Sequence, residues 1–537
     1  MPHAILLGIL RSCFSFCNPL LLLYYMKKKG SIEKQFHRWG GLALCFFLIA
    51  FSLSGILLNH REPIASLDLS RSLLPSSYHV DGWTQGAAVG STALSGDSIL
   101  LYGGEGVWLT KDGGRNFSRM MEGLPSGADR YQMRRILHSR RNGTFALSQD
   151  ALYRWQGKEW QEMPLPLSER LTDLALQGDS LVVMGRSHLF VLQLPYQQFS
   201  TLTLPESPEV SPHRATLFRT LWALHSGELF HLLGRLFVDA LGLIMLLLSI
   251  SGGVIFVYPR WMKRIQKRVR AARRARVKER TRRLQRGLKR QYKLHLLLGY
   301  WLFIPLLVLV VSGMFLRPPL LVAVAKVKVP TIPTTALHSA NNPWHDALRR
   351  LVYVPARQEW ILSTSEGIFR CKRLGLPLEK IENTPPVSVM GANVFEVASD
   401  NPHALLVGSF MGLFHWDLES GAILDLYTGK PPAPQGVMPI GDHKVSGYSS
   451  HLGGKKGIAF EYDVPCHEIS QPKEMGRGRI SLFHTMLELH TGRLYVFLGP
   501  LGILWIFVSG SMILWLLISG FRRARKQMRK RRSRAKN

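Results

Sequence analysis

Four apolar runs, each long enough to cross a bilayer, constrain this chain more than any other feature of its sequence. A helical span needs roughly 20 residues at about 1.5 Å of rise per residue. The runs are Gly41–Leu58, Leu236–Tyr258, Leu294–Leu316 and Leu494–Gly520, and Asp239 is the one acidic residue inside them. The basic residues lie against these runs. The chain of 537 residues carries a net charge of +32, of which residues 26–38 hold +4, 260–293 hold +16 and 521–537 hold +10, leaving +2 for everything else. Lys and Arg are enriched on the cytoplasmic flanks of spans, so all three blocks belong on one side. Both termini are then cytoplasmic, and residues 61–223 and 317–480 lie outside.

The organisation expected is an N-terminal extension (1–25), a cytoplasmic lead and first span (26–60), an external segment (61–223), a second span (224–259), a basic cytoplasmic loop (260–293), a third span (294–316), a second external segment (317–480), a fourth span (481–520) and a basic tail (521–537). In the first 25 residues Arg11 and Pro19 interrupt the apolar character, whereas MKKKGSIEKQFHRWGG reads as an ordinary cytoplasmic lead. Translation is therefore expected from Met26, with a fifth membrane-associated segment as the alternative; no small-residue cleavage site follows. The basic block at 260–293 lies between two spans and has little aromatic content, which favours a cytoplasmic helical hairpin near anionic lipid over a nucleic-acid site. With 46% hydrophobic residues and five cysteines, the chain is neither disordered nor a disulfide scaffold.

The chain repeats itself. FHRWGGLALCFFLIAFSLSGILL aligns with LHLLLGYWLFIPLLVLVVSGMFL, matching His37 to His295 and Ser54-Gly55 to Ser312-Gly313. LHSGELFHLLG aligns with LHTGRLYVFLG, matching His225 to His490, Gly227 to Gly492 and Gly234 to Gly499. A shorter repeat marks the external segments: GVW at 106–108, ALY at 151–153, HLF at 188–190, GIF at 367–369, GLF at 412–414 and GIAF from Gly457, mostly 45 residues apart. That period suits four-stranded propeller blades. Thr110-x-Asp112-x-Gly114-x-x-Phe117 resembles the Asp-box hairpin of sialidase-like propellers. The fold class expected is thus a tandem-duplicated bundle of four transmembrane helices with an all-β external domain. The favoured form of that domain is a single propeller of about six blades built from two halves, with two separate antiparallel domains as the alternative.

Histidine carries the candidate chemistry. His37 and His295 sit at the cytoplasmic ends of the first and third spans, His60 at the outer end of the first, and His225 and His490 before the second and fourth. His37 and His60 are about 35 Å apart along a helix, so they belong to opposite faces. A neutral imidazole pair from facing helices can hold a b-type haem, which makes these five residues candidate haem-iron ligands. His231, His484 and Asp239 are second-rank candidates near the outer face. The alternative is that the histidines are interfacial polar residues. No CxxCH motif occurs, so covalently attached haem is not indicated.

The HRW-G…SG first span, the LH[ST]G-x-[LF] approach to the later spans and the four-helix plan with large external loops resemble the PepSY-associated transmembrane family. That group includes bacterial inner-membrane proteins tied to iron uptake and ferric-siderophore reduction. The resemblance implies one or two haems b held by His37, His225, His295 and His490, with electrons passed outward to a periplasmic acceptor such as a ferric chelate. The external segments depart from the family's small PepSY modules. No P-loop, dinucleotide or flavin fingerprint, zincin motif or nucleophile elbow is present, so a quinol or a separate reductase is the expected donor. The competing reading is a non-enzymatic inner-membrane protein whose external domain binds a partner for assembly, scaffolding or sensing. A transporter fits less well, because four spans with one acidic residue offer little for a substrate path. Cys371 and Cys466 could form an external disulfide or remain thiols, and Cys45 reads as a packing residue.

Overall fold

A computed structural model describes residues 32–195, 198–210, 213–268, 274–338, 342–388, 391–433, 441–475 and 478–536. The extension at 1–25, the choice between Met1 and Met26, and Cys13 and Cys17 fall outside the described residues. The chain divides into two compact units. One holds the described residues up to His60, Thr216–Val327 and those from Met486 onward; the other holds Arg61–Ala215 and Lys328–Thr485.

The first unit is helical: α1 (Ile32–Asn59), α2 (Leu217–Ser226), α3 (His231–Arg268), α4 (Arg274–Trp301), α5 (Phe303–Met314), the last turn of α6 (Leu482–His490) and α7 (Trp505–Lys536). Helix α1 packs against α3 and α7, α7 also meets α4 and α5, and α2 lies on α5. Leu44, Ile513 and Leu516 form a small core with Phe47, Phe51 and Val310 around it. Cys45 does pack: its thiol lies where a Cβ on Gly253 would stand 3.5 Å away, and it donates to Ser249 O at 3.3 Å. Large apolar side chains such as Phe46 (60% exposed) and Trp301 (66%) point away from these contacts, which suits helices solvated by lipid tails rather than water.

Three stretches are long and apolar enough to cross a membrane, Glu33–Asn59, Glu228–Arg264 and Val496–Ser533. The expectation of four spanning helices is corrected at the third run. Here Gln285–Trp301 and Phe303–Met314 are two helices bent by 67° at Leu302. Pro305 supplies the cause, since its ring would clash with the Trp301 carbonyl four residues back and it has no N–H to give.

The second unit is built of small sheets. Among the described residues, four sheets have four antiparallel strands each, starting with Met133–Ser139, Leu171–Gln177, Leu348–Val354 and Val394–Val397. A fifth has six strands, and two have only two. The six-bladed propeller expected from the 45-residue spacing is therefore corrected to open sheets of unequal size, none of which closes on itself. The six-stranded sheet shows why the spacing misled. The aliphatic and aromatic residues of all six repeat copies do fall on strands, but the hairpin of Val445–Ser449 with Ile458–Glu461 joins the sheet of Gly90–Ala93 in parallel, through Gly90 opposite Tyr448. Two copies of the period thus make one sheet.

The sheets bury their aromatics. Trp83, Trp108, Trp160, Trp344, Trp360 and Trp416 are fully enclosed, and four of their indole N–H groups donate to backbone carbonyls, as in Trp160 to Met120 O at 2.9 Å. The Asp-box sequence forms a polar turn. Asp112 Oδ1 accepts from Thr110 Oγ1 (2.9 Å) and from the backbone N–H of Arg115 (3.1 Å) and Asn116 (3.0 Å), while Phe117 meets Trp83 edge-on. Of the two states left open for Cys371 and Cys466, both residues stand as free thiols, in different apolar clusters, Cys371 with Trp344 and Phe369 and Cys466 against the one containing Trp83. Burial pushes the Cys371 thiol up to about 12.

Two outcomes follow from this packing. Truncating Trp360, 1% exposed, to alanine leaves a large cavity and should cost about 3–5 kcal/mol, read as a lower melting temperature of the sheet unit's near-ultraviolet signal. The hydrogen bonds from Asn116 hold the Asp112 carboxyl at about 2, below its ordinary 3.8. A depressed carboxylate stabilises the fold above its unfolded value and loses that contribution as pH falls through its folded one. The melting difference between wild type and Asp112→Asn should therefore be full at pH 5 and shrink steeply as the pH falls towards 2.

Candidate functional site

Four imidazoles in the helical unit are each seated in the same way. Helix α6 ends at His490 and α2 ends one residue after His225, and Gly227 (φ 79°) and Gly492 (φ 77°) lie two residues beyond the histidines in the left-handed conformation that stops a helix. His225 Nδ1 donates to Leu309 O at 2.9 Å and lies 3.3 Å from Ser312 Oγ. His490 Nδ1 lies 3.0 Å from Ser54 Oγ and 3.2 Å from Phe51 O. At the other end of the bundle, His37 Nδ1 meets Ser519 Oγ at 2.9 Å and His295 Nδ1 meets Ser251 Oγ at 2.8 Å.

In every case the serine hydroxyl donates to a carbonyl one turn before it: Ser54 to Ala50 at 2.6 Å (with Phe51 at 3.2 Å), and Ser251 to Leu248, Ser312 to Leu309 and Ser519 to Leu516 at 3.0–3.1 Å. Its single proton is thus committed, so it accepts from the imidazole. The carbonyls at His225 and His490 can only accept. This network assigns the proton to Nδ1 in all four rings and leaves the Nε2 lone pair unused. Among the described residues no hydrogen bond is made by these four Nε2 atoms.

A glycine follows each serine and makes room for the ring. A Cβ on Gly55 would stand 3.2 Å from His490 Cε1, on Gly252 3.5 Å from His295, on Gly313 2.6 Å from His225 and on Gly520 3.1 Å from His37. The Ser-Gly pairs at 251–252 and 519–520 were missed by sequence reasoning; their likeness to Ser54-Gly55 and Ser312-Gly313 is the signal that could have found them.

The rings form two pairs. His225 and His490 have centroids 6.1 Å apart, and His37 and His295 lie within electrostatic reach of each other and of Arg523. Helix α1 carries both His37 and Ser54, the partner of His490, so the two pairs are separated by about 26 Å along its axis at 1.5 Å per residue. The other candidates lie elsewhere. His60 Nε2 pairs with Asp239 Oδ2 at 2.9 Å, and Asn59 donates to the same carboxylate at 2.8 Å. His231 is exposed at the start of α3 with φ 55°. His484, in the sheet unit, pairs with Asp129 at 3.2 Å, and Arg61 reaches that carboxylate at 2.6 Å. Burial works against the Asp129 charge, yet His484 and Arg61 hold its carboxyl below the ordinary range.

Chemically, two neutral nitrogens per pair suit a metal whose remaining positions are filled by another group. Among the described residues no cluster of three or more His, Cys, Asp or Glu donors exists to hold a bare ion.

Comparison with known proteins bears on the helices more than on the sheets. No curated protein matches the chain. Two crystal structures of extracellular domains from B. thetaiotaomicron, described as a one-component and a hybrid two-component system, align over 65% of this chain. They do so at 9% and 8% identity, with TM-scores of 0.31 and 0.30, and the chain spans only 29% and 28% of their length. The sequence profile of the PepSY-associated TM region matches residues 34–526, from just before His37 to just after Arg523. With that match running through all four clamped histidines, the chain is a membrane protein belonging to the PepSY-associated TM family.

Proposed function

We propose that this protein is an inner-membrane haem protein that passes electrons outward to reduce a ferric chelate or similar acceptor in the periplasm. The observation that carries the reading is the fourfold clamp, in which a serine fixes the Nδ1–H of each histidine and leaves Nε2 free. Histidines that ligate metals nearly always donate their second nitrogen to such an acceptor, which sets the tautomer and orients the ring. The ring centroids of His225 and His490 lie 6.1 Å apart, close enough that both could hold one metal centre.

On this reading His225 and His490 would hold one haem b and His37 and His295 a second. The two pairs are too far apart to share one group. Bound haem would supply one-electron chemistry. The protein's own residues supply the rest: the serines fix the tautomer and the aim of all four imidazoles, the glycines leave space beside each ring, and the apolar helices exclude water. Arg523 places a positive charge beside the inner pair, suited to a carboxylate of the cofactor. The basic blocks orient the chain with this inner pair towards the cytoplasm and the sheet unit outside. A membrane quinol or a partner reductase would deliver the electrons, since no nicotinamide or flavin motif is present.

Protein purified from haem-replete cells should show a Soret band that sharpens and shifts on dithionite reduction. His37→Ala and His225→Ala should each remove about half of the haem per chain by the pyridine haemochrome assay. A colourless, folded preparation would sink the proposal. Gly313→Ala, whose methyl would stand 2.6 Å from His225 Cε1, should displace that ring and lose the outer haem alone; Gly55→Ala, with 3.2 Å to His490, should weaken it less.

A further inference from the structure

Away from the histidine pairs, the sheet unit gathers a group of arginines at one end of two neighbouring sheets. Arg134 is the second residue of the strand Met133–Ser139, Gln149 lies in the turn after Gly143–Ser148, Arg170 precedes Leu171–Gln177, and Arg186 lies in the turn after Ser180–Gly185. Backbone hydrogen bonds tie these turns together: Leu171 N–H donates to Gln149 O at 2.8 Å, Arg186 N–H to Arg170 O at 2.9 Å, and Leu348 N–H to Arg186 O at 3.0 Å.

Most arginines here have a carboxylate. Arg61 pairs with Asp129 and Asp150 (2.6 and 3.1 Å), Arg186 with Asp346, and Arg350 with the fully buried Asp173 at 3.4 Å. Arg134 and Arg170 differ. Both guanidinium groups donate to the same atom, Gln149 Oε1, at 2.7 Å each, and neither makes an ion pair among the described residues. Two positive forks therefore share one neutral acceptor. Arg134 Nε is buried without an acceptor, while Arg170 keeps an exposed edge, so the pair is open to solvent on one side. Burial, and then the charges of Arg170, Arg350 and Arg186, push Arg134 down to about 9 against the opposing pull of the Asp150 carboxylate, which is paired with Arg61. A buried cation is disfavoured unless a counter-charge meets it, and the chain supplies none in contact.

We propose that Arg134 and Arg170, bridged by Gln149, form a binding site for a small, multiply charged carboxylate. Its use as the ligand of the reduced ferric chelate rests on the function proposed above. The binding itself does not. Guanidinium forks match the two oxygens of a carboxylate in paired hydrogen bonds, and two forks side by side favour a ligand bearing more than one such group. Arg186 and Arg61, already compensated, would frame the site. Phosphate shares the oxyanion chemistry, so the test separates the two.

The full chain, solubilised in detergent, is titrated calorimetrically with citrate and with inorganic phosphate, and its Soret absorbance is recorded on the same sample. Citrate should bind more tightly than phosphate. Arg134→Gln with Arg170→Gln should weaken citrate at least tenfold with the haem spectrum unchanged, and the corresponding pair of lysine substitutions should recover part of the loss. If the double variant does not fold, Arg170→Gln alone, at an exposed side chain, should still cost at least threefold. Citrate binding by a colourless protein supports the site and removes only its role in reduction. No heat with citrate, equal affinity in the folded variants, or tighter phosphate than citrate overturns the proposal.

Discussion

The helical unit depends on one hydrogen bond used four times, from an imidazole Nδ1–H to a serine hydroxyl. An N–H left without a partner among apolar helices costs about 1–3 kcal/mol, so each histidine must dock where an acceptor waits. The serine is itself tied to its own helix through a carbonyl one turn back, and the following glycine clears the space the ring occupies. Each clamp therefore fixes which helix meets which, and at what height. It joins α1 to α7 through His37 and Ser519, α3 to α4 through Ser251 and His295, α2 to α5 through His225 and Ser312, and α1 to α6 through Ser54 and His490. Lipid tails give no hydrophobic drive for helices to associate, so polar contacts of this kind and small residues at the interfaces carry more of the specificity.

The same bond explains what the sequence could and could not convey. Four histidines were legible because each occurs twice in equivalent context. Their pairing was not, since His225 and His490 are brought together only by docking on different helices. His60 was chosen for its height at the outer face, and height alone does not distinguish a ring aimed into the bundle from one paired with Asp239 on the neighbouring helix. The third span shows a similar limit. Hydropathy measures how much apolar surface a run offers and is blind to direction, so Pro305 counted as one residue in an adequate run although it turns the chain by 67°.

In the sheet unit the repeat placed strands correctly and sheets incorrectly, for a definite reason. A 45-residue period reports a local antiparallel strand-turn-strand, whose partners are neighbours in sequence. Which sheet edges meet is decided by residues far apart. Ser91 and Ser449, 358 positions from one another, share a hydrogen bond of 2.7 Å beside the parallel join of Gly90 and Tyr448. Nothing in either segment's own pattern announces that join. The Asp-box, by contrast, closes within seven residues, and its turn was readable from Thr110, Asp112 and Gly114 alone.

Charge teaches the same lesson about scale. Outside the three basic blocks the chain is almost neutral, and a sum of that kind suggests no ionic ligand. Neutrality on average is compatible with strong local imbalance when the fold decides which charges touch. Asp173 is fully buried and engages Arg350 and Arg135 together, so one carboxylate serves two cations there. Asp129 similarly serves Arg61 and His484. Carboxylates spent in this way are not available to Arg134 and Arg170, which are left with a single amide oxygen between them. A fold that keeps two guanidinium groups on one neutral acceptor, on turns braced by backbone hydrogen bonds, holds positive charge ready for an anion that the chain itself does not provide.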